Sequence, residues 1–295
     1  MEEKNEIIQS FYSLSEYLKE NGKIENLRQY ERDFSAFLLH ARHIKTYDFI
    51  APFCKDKKVL DIGCFIGYGE KHLALAKEVI AIDTDDNSLE FARRNNFNSN
   101  IRFLKVDARE LPFSEEVFDI IVAFQLIEHI PPKEVPSFLY KVKKILKKDG
   151  LLFIATPNRK FRLRPFQPPF NLEHYQEFTA KKLFKVLKTI FQDVSVMGIR
   201  AENWIEEIEK ARVRSSIFSA YIFIPVGRIL HKYSLLRMKN ILKKIKRLIF
   251  SRQERQWGPN QFENLLKDFS MSDFYLEKRQ DLLNGSLELF AICKK

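Results

Sequence analysis

Cysteine is scarce in this chain. Three occur in 295 residues, at Cys54, Cys64 and Cys293. An odd, widely spaced set argues against a disulfide framework and suits a reducing compartment. Long apolar runs are also missing: none approaches the roughly 20 residues that span a bilayer, and the best candidate, residues 217–224, stops at Pro225. The Met1-Glu2-Glu3-Lys4 start is polar and charged, so no signal peptide is expected. Acid is absent from one segment only. Residues 210–253 hold twelve Lys or Arg and no Asp or Glu, which leaves 38 basic against 39 acidic residues elsewhere. The net charge of +11 therefore belongs to one stretch.

Glycine occurs only nine times, yet three glycines fall within Val59-Leu60-Asp61-Ile62-Gly63-Cys64-Phe65-Ile66-Gly67-Tyr68-Gly69. A short β-branched run ends in an acid and passes into a glycine loop, with a helical pattern expected over 68–77. A strand, a tight loop and a helix start let backbone N–H groups face a ligand where no Cβ intrudes. The G-x-G-x-x-G dinucleotide fingerprint is not met, because Phe65 and Tyr68 stand at its second and third glycine positions, which disfavours a nicotinamide dehydrogenase. A second buried run, Val79-Ile80-Ala81-Ile82-Asp83, ends in a carboxylate twenty residues past Gly63. That is where a doubly wound sheet grips ribose hydroxyls.

These stretches, with IRFLKVDARELPF (101–113), FDIIVAFQLIEHI (118–130) and ILKKDGLLFIATPN (145–158), resemble the class I S-adenosylmethionine-dependent methyltransferases. The likeness is to the type 11 branch, which includes quinone-biosynthesis and small-molecule O-methyltransferases. It covers about residues 37–196 and the last strand. It implies an α/β fold: a Rossmann-like, doubly wound, seven-stranded sheet, six strands parallel and the last antiparallel. N-terminal helices and a helical insertion before the last strand complete it.

For S-adenosylmethionine the resemblance implies contacts from Asp61 at the methionine ammonium side and from Gly63 and Gly67 along the methionine backbone. Asp83, with Thr84 beside it, takes the ribose; Asp107 and the Ala108 N–H read the adenine edge; Gln125 lies against the methionyl group. The family usually has glycine where Phe65 stands. Phe65 is expected to keep a negative φ, as a residue with a Cβ prefers, and to point away from the cofactor.

In chain order, residues 5–20 and a second stripe from Leu27 to Ile44, closing before Pro52, read as a helical cap over 1–50. A core over 51–200 alternates strands near 58–62, 78–83, 101–106, 118–123 and 150–155 with helices, and 191–199 reads as a sixth strand. Between strands four and five a helix is expected to carry Pro132 in its first turn, set Lys147 and Lys148 near its C-terminal dipole and end at Gly150. Residues 201–270 read as an insertion and 271–295 as the completing strand. Within the insertion, apolar residues between 226 and 250 recur at helical steps with basic residues between them. That pattern suits an ordinary lid, or an amphipathic element against an anionic membrane.

A methyl on a sulfonium is already activated, so positioning dominates, and a base is needed only for a protonated acceptor. Base candidates are His129, after Glu128, and His174, in a segment resembling the family's H-x-x-E-F-T; each also reads as a structural residue. No metal site is expected, since neither has a second His or carboxylate at ligand spacing and methyl transfer requires none. Gln125-Leu126-Ile127-Glu128 stands where a base-methylating enzyme of nucleic acids would carry Asn/Asp-Pro-Pro-aromatic. The expected function is methyl transfer to a hydroxyl of a small-molecule, glycan or lipid-linked acceptor, in the cytoplasm or peripherally on the inner membrane face. The alternatives are an RNA methyltransferase using the basic segment and a non-catalytic relative.

Overall fold

The computed structural model describes residues 2–24, 33–96, 98–213, 219–232 and 259–295. Its strands are β1 (Lys58–Ile62), β2 (Glu78–Asp83), β3 (Ile101–Lys105), β4 (Phe118–Phe124), β5 (Leu146–Pro157), β6 (Asp193–Ala201), β7 (Phe274–Glu277) and β8 (Glu288–Lys294). Helices among the described residues are α1 (Glu2–Glu20), α2 (Phe34–Cys54), α3 (Asp86–Asn95), α4 (Val135–Ile145), α5 (Arg159–Arg162), α6 (Ala180–Lys188), α7 (Asn203–Val213), α8 (Ile224–Lys232) and α9 (Pro259–Asp268).

The strands form one sheet in the order β3-β2-β1-β4-β5-β8-β6-β7. Parallel pairing runs from β3 to β5, and β8 enters antiparallel between β5 and β6. Strand order reverses between β1 and β4, and a ligand crevice opens at such a switch point, outside the carboxyl ends of the strands. Among the described residues the sheet has eight strands where seven were expected. The extra strand, β7, follows the insertion and pairs antiparallel with the outer edge of β6, covering backbone groups that an edge would leave open.

Side-chain alternation explains the two layers. Leu60, Ile62, Ile80, Ile82, Ile121 and Ile154 pack on one face with Phe138, Leu139 and Val142 of α4 and Leu183 and Leu187 of α6. Val59, Val79, Ala81, Ile120, Val122 and Phe153 pack on the other with Tyr47 and Ile50 of α2 and Leu89 and Ala92 of α3. A third cluster joins Phe11 of α1 and Phe34 and Phe37 of α2 to Ile205 of α7 and Phe262 of α9. The N-terminal helices and the insertion thus share one core. Arg42 ties them to the sheet: fully buried, it donates from Nε to Glu288 on β8 at 2.8 Å and from Nη1 to Glu209 on α7 at 2.7 Å.

Several local expectations give way. The stretch 68–77 forms only a 3-10 turn, Glu70–Leu73. Asp56 N–H bonds to Leu75 O while Lys77 N–H bonds to Lys57 O, and these links pull the chain straight into β2. No helix N-terminus therefore faces the loop. Helix α2 runs past Pro52 to Cys54, because the proline sits in its last turn and the buried Ile50 and Cys54 hold that turn on the sheet. Helix α4 begins at Val135 and ends at Ile145, and Leu146 is already paired with Phe118. Lys147 then meets Asp119 at 2.9 Å instead of the helix dipole. Of the insertion, 214–218 and 233–258 lie outside the described residues, as do Leu27 and Tyr30 of the N-terminal stripe.

Candidate active site

Asp61, at the end of β1, is completely buried. Tyr47 of α2 donates to its Oδ2 at 2.8 Å, and its Oδ1 has no partner among the described residues. Burial pushes the Asp61 carboxyl up to about 7; the Tyr47 bond pulls it down and the charge of Asp83 adds to the rise. Glu70, two residues before His72 in the turn, is buried with both carboxyl oxygens unpartnered. Burial, then the neighbouring Asp61 charge, pushes it well above the carboxylate range. Two acids thus lie beneath the glycine loop with three oxygens uncompensated, an arrangement that favours a cation above them.

The loop is shaped by positive φ. Gly63 (φ +85°) bonds through its N–H to Ile82 O at 2.8 Å. At Gly67 (φ +75°) an added Cβ would lie 3.0 Å from Ala92 and 3.1 Å from the Phe103 ring. Phe65 corrects the expected negative φ: it stands at +52°. Its N–H is held by Asp83 Oδ2 at 2.9 Å. Its ring meets Tyr17 of α1 edge-on at 5.3 Å, with Lys23 Nζ 5.3 Å above it. A left-handed backbone costs a residue with a Cβ about 1–2 kcal/mol, offset here by the captured N–H and the packed ring.

Asp83, at the end of β2, also accepts from the backbone of Thr84 at 2.7 Å and Asp85 at 3.0 Å, so it organises the loop. Thr84 is exposed. Asp107, past β3, is gripped by Arg109 through Nε and Nη2, and this pairing draws its carboxyl below the usual range. Ala108 is half-buried against the α4 face. Gln125 follows β4 with φ +52° and its N–H on Ala155 O at 2.8 Å. Strain in a residue with a Cβ at a strand end beside the switch point is common where a ligand is held.

On the other side of that strand end the fold brings the two histidines together. The rings of His129 and His174 stand nearly perpendicular with centres 4.7 Å apart. His174 Nδ1 lies 3.1 Å from Glu177 Oε1. Glu128 is fully buried; its Oε2 accepts from Thr156 Oγ1 at 2.8 Å while Oε1 has no partner, and burial pushes it up to about 8. Burial, then the His174 charge, lowers His129. Sequence spacing argued against a ligand set, but one ligand atom from each of Glu128, His129 and His174 falls within 4.8 Å of the others. The β4 turn and the loop after β5 meet in space, as the Tyr175 N–H to Glu128 O bond of 2.9 Å shows.

Sequence reading missed Tyr47, Glu70, Thr156 and Arg228. Arg228 of α8 reaches the carbonyls of Pro169, Asn171 and His174 at 3.2, 2.9 and 2.9 Å, so the insertion clamps the loop that carries His174. Nothing in its local pattern marks that contact. Glu128 and Glu177 were in view, adjacent to His129 and within the H-x-x-E-F-T-like segment.

The pattern of a methyltransferase domain, Methyltransf_11, matches residues 60–154. A probable S-adenosylmethionine-dependent methyltransferase of Mycobacterium tuberculosis strain H37Rv is 31% identical over 188 residues, covering 63% of this chain and 67% of that protein. The chain belongs to the class I, type 11 S-adenosylmethionine-dependent methyltransferases. It is an enzyme of that family, and S-adenosylmethionine is its cosubstrate. The crystal structure of a SAM-dependent methyltransferase from Archaeoglobus fulgidus shares the fold, with a TM-score of 0.50 at 17% identity over 87% of this chain and 93% of that one. The ubiquinone biosynthesis O-methyltransferase of Bartonella bacilliformis is 36% identical over 116 residues, 38% of this chain and 46% of that protein. The chain therefore spans under half of that relative.

Proposed function

We propose that this methyltransferase moves the methyl group to a hydroxyl oxygen of a small-molecule, glycan or lipid-linked acceptor seated between Gln125 and the 171–177 loop. The observation that carries the reading is the His129–His174 pair. A hydroxyl acceptor must lose its proton for the oxygen to attack. Glu177 occupies Nδ1 of His174, which leaves Nε2 as the ring atom with chemistry to offer beside His129. The O-methylation in the name of the partial Bartonella relative agrees with this.

For the cosubstrate, the residues present fit a cationic ligand. The unpartnered Asp61 Oδ1 suits an ammonium, the Cβ-free backbone at Gly63 and Gly67 admits close approach, and Asp83 stands ready for ribose hydroxyls. Thr84, Asp107, Ala108 and Gln125 line the same strand-end edge. When bound, S-adenosylmethionine supplies a methyl on a sulfonium whose thioether leaves readily. The chain's own residues orient and desolvate the acceptor and ease the loss of its proton.

A lipid-linked acceptor is favoured by exposed apolar side chains on the loop that leads to His174 and on the helix that clamps it. Phe166 is 95% exposed and Ile229 56% exposed, and Tyr221 of the insertion bonds to Pro165 O at 2.7 Å. Exposed apolar side chains in a chain whose sequence carries a basic stretch suit contact with an anionic membrane, and no described helix is long and apolar enough to cross one.

The test is incubation with methyl-labelled S-adenosylmethionine and the lipid and aqueous extracts of a producing cell. A labelled methoxy product in the lipid fraction supports the reading. A product methylated only at nitrogen or carbon sinks it. Co-sedimentation with anionic but not neutral vesicles, reversed by salt, tests the membrane contact separately; equal binding to neither would end it.

A further inference from the structure

We propose that Glu128, His129 and His174 bind a divalent first-row cation, and that the acceptor is a compound whose hydroxyl coordinates it. The proposal rests on the O-methylation reading above and gives the proton loss a physical cause. Geometry comes first. Ligand atoms around one cation at about 2.0–2.2 Å are at most about 4.4 Å apart. The three atoms here lie within 4.8 Å of one another, close enough for side-chain rotation to bring them onto one cation.

The supporting groups are those a cation site needs. A ligating imidazole normally gives its other nitrogen to a carboxylate, which sets the tautomer and orients the ring. His174 Nδ1 is on Glu177 Oε1, and Glu177 Oε2 is in turn 3.4 Å from Arg162 Nε. Glu128 is likewise held on one oxygen by Thr156, and its Oε1 is buried without a donor. A buried carboxylate oxygen left unpaired costs free energy that a cation would recover. All three residues sit on fixed backbone: Glu128 and His129 in the turn Ile127–His129 that ends β4, and His174 in a loop tied to Glu128 by the Tyr175 N–H and to α8 by Arg228.

Two imidazoles and one carboxylate leave coordination positions open, as catalytic sites require, and suit manganese, iron, cobalt or zinc more than magnesium. A hydroxyl in an open position becomes more acidic. The overall step then balances: the acceptor O–H gives its proton to water, the oxygen–methyl bond forms, and the methyl–sulfur bond breaks to leave the neutral thioether. An acceptor with a second oxygen beside the first would be held in two positions at once. The class favoured is therefore a vicinal diol or a catechol-like ring.

The experiment uses untagged full-length protein, stripped with chelator and titrated with Mn2+ and Co2+, read by electron paramagnetic resonance and visible absorption. One equivalent should bind, and His129→Ala and His174→Ala should abolish it, while S-adenosylmethionine affinity stays within twofold and reports that each variant is folded. Glu177→Gln, which leaves every ligand in place, should weaken cation binding about 10–100-fold. No binding at millimolar Mn2+ or Co2+, or binding unchanged in His174→Ala, overturns the site. Methoxy product formed at full rate in chelator overturns it too while leaving O-methylation intact. Failure to form any methoxy product with cation bound removes the acceptor reading and leaves the site standing.

Discussion

A Cβ built on Gly69 would stand 2.2 Å from the ring of Tyr47. The glycine is what allows that ring to pass under the loop and reach Asp61. Replacement by alanine must push the ring aside and break the 2.8 Å bond to Oδ2. Gly69→Ala is expected to destabilise the fold by about 1–3 kcal/mol, the cost of overpacking. Tyr47→Phe, which keeps the ring and strips only the donor, should cost about 1–3 kcal/mol through the unpaired buried acceptor. Denaturant unfolding measures both. A Gly69→Ala protein as stable as wild type would show that the contact is not a constraint.

Asp61 gives the cosubstrate site a pH dependence. Its folded value of about 7 lies above the ordinary aspartate range, so the folded state binds the extra proton between about pH 4 and 7. Stability of the unliganded enzyme should accordingly fall as pH rises through that window. Binding of a cationic ligand has the opposite sign, since it favours ionised Asp61. Affinity for S-adenosylmethionine should rise from pH 6 to pH 8, with proton release near pH 7. Calorimetry in buffers of different ionisation enthalpy counts those protons; a pH-independent affinity would remove Asp61 from the site.

Most of the sheet was legible because its strands are short, apolar and β-branched, and because Asp61 and Asp83 close two of them. The turn after Gly69 misled because 68–77 has helical composition, yet backbone bonds from Asp56 and Lys77 leave no room for a helix. Phe65 misled for a related reason: local preference set its φ, while Asp83 and Tyr17, distant in sequence, set the conformation it adopts. The His129–His174 pair lay 45 positions apart and could be seen as a pair only once β4 and the loop after β5 met. Glu70 gave no signal at all, since a glutamate in a polar turn reads as solvated.

The buried network of Arg42 behaves differently from the site. Arg42 faces both Glu209 and Glu288, and Arg212 adds a second cation on Glu209 at 2.8 Å. Burial opposes ionisation of the two acids, but Arg212 and Arg42 overcome it at Glu209, and Arg42 and His43 at Glu288, holding each at about 2. Their contribution is present above about pH 4.5 and is lost as pH falls toward 2, a window below that of Asp61. Arg42→Ala leaves two buried carboxylates without their shared partner and should cost about 3–5 kcal/mol. Because α2, α7 and β8 meet at this residue, one cooperative unfolding transition should split or shift as a whole. Thermal unfolding unchanged at pH 7 would show that water replaces the guanidinium.

Asp83 is the sharpest test of the cosubstrate assignment because it carries two loads. Its carboxylate already accepts from Phe65, Thr84 and Asp85, so Asp83→Ala will disturb the loop even if it never touches a ribose. A weaker affinity alone, expected at about 2–4 kcal/mol for lost charge-assisted bonds, cannot separate these effects. A double cycle can. S-adenosylhomocysteine and its 2′-deoxy analogue should differ in affinity for the wild-type enzyme by about 1–3 kcal/mol, the usual worth of a hydrogen bond to a charged group. In Asp83→Ala that difference should vanish, although both ligands bind more weakly. If the analogue is discriminated equally by both proteins, Asp83 serves the loop alone, and the ribose is held by another group at the strand ends.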